Sequence, residues 1–564
     1  MLYTVAVMNN GQTPSGSTAG WLGPRSNRLL LVLAAVLFFW FLGAHDLWAP
    51  DEPFFGEGAR EMLIDGQWLV THVNGVVNSH KPPLFFWLIA LFSIPFGTVT
   101  ELTARLPSAL AALGTLVLVM RLGRRWFGPG TAALAGLLLT TSYMFWDKAR
   151  WSQIDSLLCF LIWVALSAFE AWRAGDADGR RAGMLFWAAA GLAVLATGPV
   201  GLLLPLGIVV VLLAVERDLG ALRRFAPVAG PLVFVLVTGS WAAAATLWGP
   251  ADYSVVGALR EHFVERGMHG MHHVQPFWYY AERLPLSLLP WAGLLPGALV
   301  LAWRQRRATT GLRFSFVAAA FVVVFFSIST EKRDLYVLPA FPAIALMMAA
   351  VVVRVAGWKD ELEGLPEMNR RWVTVGQTVV GGLFTLVALA VPFLKDRVEV
   401  LPSWMVYMHG GVLLATGAAT VASAVRGRAL ASVAATAVGM AVLYLAATAA
   451  VYPAMEPRKS SRDFALEIKE ITAESRAAGH EVVAWRAGNI PVAIAFYSDG
   501  VYTIDTNDPE VLADHLRQDA LVYAVVLASE LDEVPADAIE GMEVHAERRL
   551  SRRDLALISN RQLD

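Results

Sequence analysis

Apolar stretches of about 17 to 25 residues recur along this chain, and their recurrence restricts the fold more than any single motif does. They lie near 28–45, 105–122, 130–146, 156–172, 183–198, 200–216, 226–248, 284–303, 314–328, 335–353, 373–394, 402–424 and 429–451. Inside hydrocarbon every backbone N–H and C=O must find its partner within the segment, so stretches of this length are helices that cross a membrane. With 56% hydrophobic and 16% charged residues over 564 positions, the chain lies outside the range of soluble domains. The expected fold class is a polytopic α-helical membrane protein of about thirteen transmembrane helices, followed by a soluble α/β domain.

One further apolar run, from Pro82 to Gly97, is short for a span, and charge decides how to place it. With Arg25 and Arg28 cytoplasmic under the positive-inside rule, a crossing at 82–97 would turn Arg121, Arg124 and Arg125 outward. If 82–97 lies along the outer interface instead, the basic loops at 121–125, 173–181, 217–224, 304–307, 354–371 and 426–428 all fall inside. The second arrangement is the expected one. It gives a first outer loop (46–100) with juxtamembrane helices and puts the C-terminal region outside.

Residues 1–26 are rich in Gly, Ser and Thr and are expected to form a disordered cytoplasmic tail. They carry no early apolar region followed by a small-residue cleavage site, so the first span is expected to stay attached. Residues 27–452 form the expected membrane domain, and after Val451 charge becomes frequent and apolar runs shorten to strand length. Strands are predicted at 481–485, 493–497, 501–504, 521–527 and 556–558, with helices at 461–478 and 509–518, making a small α/β domain at 453–564. A lone cysteine, Cys159, rules out an intramolecular disulfide, and a net charge of −2 gives no sign of a nucleic-acid partner.

Against this apolar background the run Trp48-Ala-Pro-Asp51-Glu52-Pro-Phe54-Phe55-Gly-Glu57 stands out, because charge beside lipid is costly unless solvated, paired or used. The predicted topology brings other polar clusters to the same side. They are His80 and Lys81; Asp147, Lys148, Arg150 and Asp155; Glu261, His262, Glu265, Arg266, His269, His272 and His273; and Glu331, Lys332, Arg333, Asp334 and Tyr336. Acids gathered at one interface and spans largely free of charge favour surface chemistry over a lipid-sugar transporter or flippase, which would hold ionisable groups deep in the bundle.

Several motifs carry a resemblance: the acidic pair, Arg60-Glu-Met-Leu, Lys81-Pro-Pro, Arg105-Leu-Pro-Ser-Ala-Leu, Leu122-Gly-Arg-Arg-Trp-Phe-Gly, Arg150 to Asp155, Gln275-Pro-Phe-Trp-Tyr-Tyr and Lys332-Arg-Asp-Leu-Tyr-Val-Leu-Pro. Together they resemble the GT-C glycosyltransferases of the protein-mannosyltransferase superfamily, most closely the bacterial lipid A 4-amino-4-deoxy-L-arabinose transferases. That resemblance implies a polyprenyl (undecaprenyl) phosphate sugar donor, lipid A or another periplasmic acceptor, and a site at the periplasmic face of the bacterial inner membrane, among membrane lipids. The other acceptors it leaves open are a different glycan or protein hydroxyls, as in O-mannosyl transfer.

Sugar transfer from a lipid phosphate builds positive character at the anomeric carbon and returns negative charge to the phosphate. Asp51 and Asp155 are therefore the candidate catalytic acids, with Lys81 beside them. Lys81, Arg266, Lys332, Arg333 and Tyr336 are the candidates for the donor phosphate, and Glu52, Phe54, Phe55 and Glu57 for the substrate pocket. Several have a competing structural reading, and for Arg266 and the Lys332-Arg333 pair it is simple binding of lipid phosphates. Asp51 would cap the helix after it, Lys81 would snorkel to headgroups, Asp155 would pair with Arg150, and Glu52 and Glu57 would be structural or solvated. His80 stands where the related transferases have Glu, and His262 aligns with a metal-site histidine. A divalent ion, zinc or magnesium, held by His80, His262 and Glu261 is the one cofactor the resemblance suggests. Phe54-Phe55 replaces an Arg-Tyr pair of those relatives, so an apolar wall is expected there.

Overall fold

The computed structural model describes residues 24–79, 81–251, 253–260, 274–358, 368–394, 401–550 and 553–561. The expected N-terminal tail falls almost wholly outside them, and the first helix, α1, spans Pro24–Phe39. Eight described helices are long and apolar enough to cross a membrane, or nine if Tyr279–Ser287 and Trp291–Gln305, bent by 115°, make one span. Shorter apolar helices occupy Asn27–Phe39, Leu84–Phe96, Pro129–Thr140 and Val200–Glu216. The chain is thus a multi-pass membrane protein.

Between α1 and the first long span lies a loop with its own structure. Helix α2 (Asp51–Asp65) carries Asp51 and Glu52 in its first turn, where carboxylates complement the helix dipole. It ends at Gly66, whose φ of 68° and N–H bond to the Met62 carbonyl make a left-handed cap that a β-carbon would strain. A hairpin, β1 (His72–Val73) with β2 (Val76–Val77), follows. Helix α3 (Leu84–Ser93) has ten residues, a rise of about 15 Å, half of the hydrocarbon thickness. Phe85, Phe86, Ile89 and Ala90 of α3 are fully buried against neighbouring helices.

Helix α4 (Glu101–Phe127) opens with a reciprocal cap between Thr100 and Thr103 and carries Arg105 one turn in. After α5 (Pro129–Thr140), the short α6 (Tyr143–Arg150) and α7 (Asp155–Arg173) flank a turn at 151–154. Arg150 donates to the carbonyls of Leu37 (3.0 Å), Phe38 (3.0 Å) and Trp40 (2.7 Å), closing the C-terminal end of α1 with a cation. Its guanidinium therefore serves α1, in place of the pairing with Asp155 weighed from sequence.

The last long helix begins at Ala429 and continues through a π turn and helix Tyr452–Lys459 toward Arg462–Ile471, so the membrane region passes into the final region as helix. There, strands β3 (Val482–Trp485), β4 (Thr503–Thr506), β5 (Tyr523–Leu527), β6 (Glu543–Leu550) and β7 (Arg553–Ser559) form one sheet in the order β4-β3-β5-β7-β6. β4, β3 and β5 run parallel, and β7 joins β5 and β6 antiparallel. Both faces are covered. Val482 and Ala484 pack toward helices Arg462–Ile471 and Ile490–Ser498, while Val483 and Trp485 pack toward Pro509–Leu516, the alternation a two-sided sheet requires. Residues 493–497, expected as a strand, lie instead in helix Ile490–Ser498, which has Pro491 in its first turn. Strand β6 was not predicted. Its charged residues and a bulge between Val544 and Ala546 at the sheet edge hide the alternation.

Candidate active site

Asp51 is the first residue of α2, yet the residue before it, Pro50, is the cap position and no side chain caps the helix. The carboxylate instead accepts hydrogen bonds on one oxygen from Gln153 Nε2 (2.5 Å) and Arg333 Nη2 (2.7 Å). Its capping role is thereby set aside. Asp51 and Arg333 keep 26% and 34% of their side chains exposed, which leaves the pair open to a ligand. Burial disfavours the charge on Arg333, but the bond to Asp51 and the nearby charges of Asp51 and Asp155 outweigh it and raise its pKa. The guanidinium is a permanent cation here.

Asp155, at the start of α7, lies within electrostatic reach of Arg333, Lys148, Lys81 and Asp51. Four separate chain segments therefore meet: the start of α2, the residue before Pro82, the turn into α7 and the loop at 333. Lys148 pairs with Asp147 at 2.9 Å and lies over the Trp151 ring, so the same corner gathers several cations around carboxylates. Tyr336, one turn beyond Arg333, influences its charge and packs on Phe326 with ring centroids 5.3 Å apart. Gln153 was not among the expected site residues, and Lys148 was named only among the polar clusters on that side. The signal available was an amide and a cation flanking the Arg150–Asp155 turn.

Other expected site residues have different positions. Glu52, assigned to the substrate pocket, is fully buried. It accepts from Arg105 Nε (2.7 Å) and Nη2 (2.9 Å), the Trp48 N–H (3.1 Å) and the Ser152 N–H (3.0 Å). Arg105 also donates to the carbonyls of Leu42, His45 and Asp46, fastening the segment that leads into α2. Burial raises the pKa of Glu52, but Arg105 pulls harder and holds it below the usual carboxylate range. Glu57 is likewise buried, in a two-point pair with Arg60 at 2.7 and 2.8 Å. Neither acid is available to a substrate, and their structural reading holds. Phe55 is buried with Phe85 and Phe86, while Phe54 stays partly exposed on the same aromatic cluster.

Lys332, expected on the donor phosphate, is 3% exposed and gives its ammonium to the carbonyls of Gln275 (2.9 Å) and Ser329. Next to it, the Val274–Glu331 bridge joins the same two strands of chain. Lys332 is therefore a backbone tie, and Arg333 alone of the pair faces Asp51. His80, Glu261, His262 and Arg266 lie outside the described residues, as do His269, His272 and His273. Among the described residues no group of three or more His, Cys, Asp or Glu is placed to hold a metal ion.

Known proteins share both sequence and shape with this chain. A family model described as dolichyl-phosphate-mannose-protein mannosyltransferase matches residues 80–242. An undecaprenyl phosphate-alpha-4-amino-4-deoxy-L-arabinose arabinosyl transferase of Pseudomonas fluorescens is 31% identical over 357 residues, covering 62% of this chain and 60% of the relative. The corresponding transferase of Aeromonas hydrophila is 32% identical over 362 residues, covering 63% and 64%. The chain thus spans about three-fifths of the length of the curated relatives it matches. The crystal structure of ArnT from Cupriavidus metallidurans bound to undecaprenyl phosphate superposes with a TM-score of 0.74 at 22% identity, covering 96% of this chain and 98% of ArnT.

The fold is that of ArnT. In sequence, the chain is similar to undecaprenyl phosphate-alpha-4-amino-4-deoxy-L-arabinose arabinosyl transferases over about three-fifths of its length.

Proposed function

We propose that this chain is an inner-membrane glycosyltransferase that moves 4-amino-4-deoxy-L-arabinose from undecaprenyl phosphate to a lipid A phosphate at the periplasmic face. The observation that carries this reading is the Asp51–Arg333 contact at 2.7 Å, with Asp155 and Lys81 in the same electrostatic cluster. Transfer breaks the bond between the anomeric carbon and the donor phosphate oxygen, returns the electron pair to that oxygen, and joins an acceptor oxygen to the carbon. Arg333 and Lys81 supply positive charge where the leaving phosphate gains negative charge. Asp51 and Asp155 supply negative charge where the sugar becomes electron-poor. A phosphate acceptor is already an anion, so Asp51 orients it and balances charge. A hydroxyl acceptor would need Asp51 to take its proton.

The membrane arrangement belongs to the same proposal. Thirteen spans result if α1, α5, the helices Gly179–Thr197 and Val200–Glu216 and the bent pair each cross. With α3 lying along the outer interface, α2, Lys81, Asp155, Arg333 and the C-terminal sheet then share the periplasmic side. In this reading residues 27–452 are the catalytic membrane domain and 453–564 a periplasmic domain. Protein hydroxyls remain the second acceptor class, favoured by the family model over 80–242.

Mass spectrometry of lipid A from cells with and without the protein tests the acceptor, with aminoarabinose-bearing species expected only when it is present. An unchanged profile would remove lipid A from the reading. Full retention of sugar transfer by purified Asp51→Asn protein would remove Asp51 from the reacting centre.

A further inference from the structure

The segment that leads into α2 is held from two sides. From the membrane side, Arg105 and Glu52 take hold of its backbone at 42–48. From the other side, four residues beyond 455 converge on Asp46 and Leu47. The Asp46 N–H donates to Glu456 Oε1 at 2.8 Å, and Ser460 Oγ donates to Asp46 Oδ2 at 2.5 Å. Arg462 pairs with Asp46 at 2.9 Å and with Glu101. The Leu47 N–H donates to the hydroxyl of Tyr497 at 2.5 Å.

Tyr497 differs from the other three in where it comes from. It sits in the helix Ile490–Ser498, part of the sheet domain and not of the long helix that leaves the membrane. Its ring lies beneath the Arg462 guanidinium at 4.8 Å and against Phe496. The contact is close by construction: a β-carbon on Gly56 of α2 would come within 3.2 Å of Phe496 and 2.6 Å of Leu47. At its far end the same helix reaches α2 again, where Asp499 accepts from Arg60 at 3.0 Å. The β1–β2 hairpin adds a reciprocal pair, Asn74 Nδ2 to the Thr503 carbonyl (2.9 Å) and the Thr503 N–H to Asn74 Oδ1 (3.2 Å). The sheet domain therefore grips both sides of the helix whose first residue is Asp51.

We infer that Tyr497 is a positioning residue for Asp51: its hydroxyl fixes the backbone at Leu47, four residues before the carboxylate, so that Asp51 meets Arg333 and Gln153 in register. The C-terminal domain acts in transfer without touching the substrate. This rests on the proposed transferase activity, since it names what sets that site's geometry.

Tyr497→Phe narrows the test to the hydroxyl, because the ring, its packing and its place under the Arg462 guanidinium remain while the bonds of the hydroxyl to Leu47 and Arg462 are lost. In full-length protein in nanodiscs, kcat for transfer from undecaprenyl-phosphate aminoarabinose to lipid A is expected to fall about tenfold, the scale of a small displacement of a reacting group. The donor KM should stay within about twofold, and the melting temperature should change little. Hydrogen exchange at residues 47–53 should rise while exchange in the sheet stays the same. Unchanged kcat per folded molecule would overturn the inference and leave Arg105 and Glu52 as the sufficient fastening. Wild-type protein that transfers no sugar would sink the transferase reading instead. In that case hydrogen exchange decides alone, and unaltered exchange at 47–53 in Tyr497→Phe overturns the tether.

Discussion

Glu52→Gln separates two adjacent acids to which the structure gives opposite work. Glu52 has no solvent exposure and accepts four hydrogen bonds, two of them from Arg105. Glutamine keeps the shape but removes the negative charge and turns an NH2 group toward N–H donors. Breaking a buried ion pair by changing one partner costs about 3–5 kcal/mol, because the remaining charge is uncompensated. Arg105 retains three carbonyl partners and His45 Nδ1 at 3.0 Å, so the lower end, about 3 kcal/mol, is expected. Thermal unfolding of the full-length protein in detergent, read with the monodisperse fraction after size exclusion, should show a clear loss. Transfer per folded molecule should fall by about tenfold at most, because Glu52 acts on Asp51 only through the segment it holds at the Trp48 N–H. The acidic limb gives a second check. Glu52 has its pKa lowered in the fold despite burial, so its stabilisation is complete above the ordinary carboxylate range and disappears as pH falls through the folded pKa. Wild-type and Glu52→Gln melting curves should therefore converge in acid. An unchanged melting temperature together with abolished transfer would refute the reasoning and return Glu52 to the substrate.

Asp51→Asn should give the opposite pattern, with transfer falling on the order of 100-fold while the melting temperature holds. Arg333→Ala should raise the donor KM by about tenfold to a hundredfold, the loss of charge-assisted phosphate bonds, measured by titrating undecaprenyl phosphate as an inhibitor. Lys332→Met, by contrast, should leave donor affinity within about twofold and lower the melting temperature, since its ammonium holds the carbonyls of Gln275 and Ser329. Glu61 is buried beside Glu57, and burial followed by that neighbour's charge pushes its pKa up to about 8. A raised acid pKa means the fold keeps the proton, so stability should decline as pH rises from the ordinary carboxylate range through about 8. Glu61→Gln should flatten that slope in melting temperature against pH.

The acidic run after the first span was read as the corner of a candidate site, but the separate partners of its two acids were not legible. Neighbouring residues on a helix point in different directions, so Asp51 turns to Gln153 and Arg333 while Glu52 turns to Arg105. Which cation each would meet depends on contacts 53 to 282 residues apart, beyond any local pattern. Arg105 entered the sequence reading only as the head of a motif at the start of the apolar stretch 105–122, and its need for a partner there was not drawn out. Lys332 and Arg333 were indistinguishable as types, and only the backbone at 274–276 decides that one is sequestered. In the C-terminal region, Ala493–Tyr497 is a short apolar run that periodicity cannot assign, and the helix start at Pro491 settles it. The apolar spans were the most legible feature, because the bilayer permits helix and little else.

The grip of the sheet domain on α2 also has a consequence for how the protein is made. Leu47 and Arg60 emerge early from the ribosome, whereas Tyr497 and Asp499, which hold them, emerge some 440 residues later. An unfinished chain carries Asp51, Asp155 and Arg333 already inserted but lacks the residues that clamp the start of α2. On the proposed reading, a chain truncated after its last span would carry the site's residues with only the Arg105 and Glu52 fastening at the start of α2.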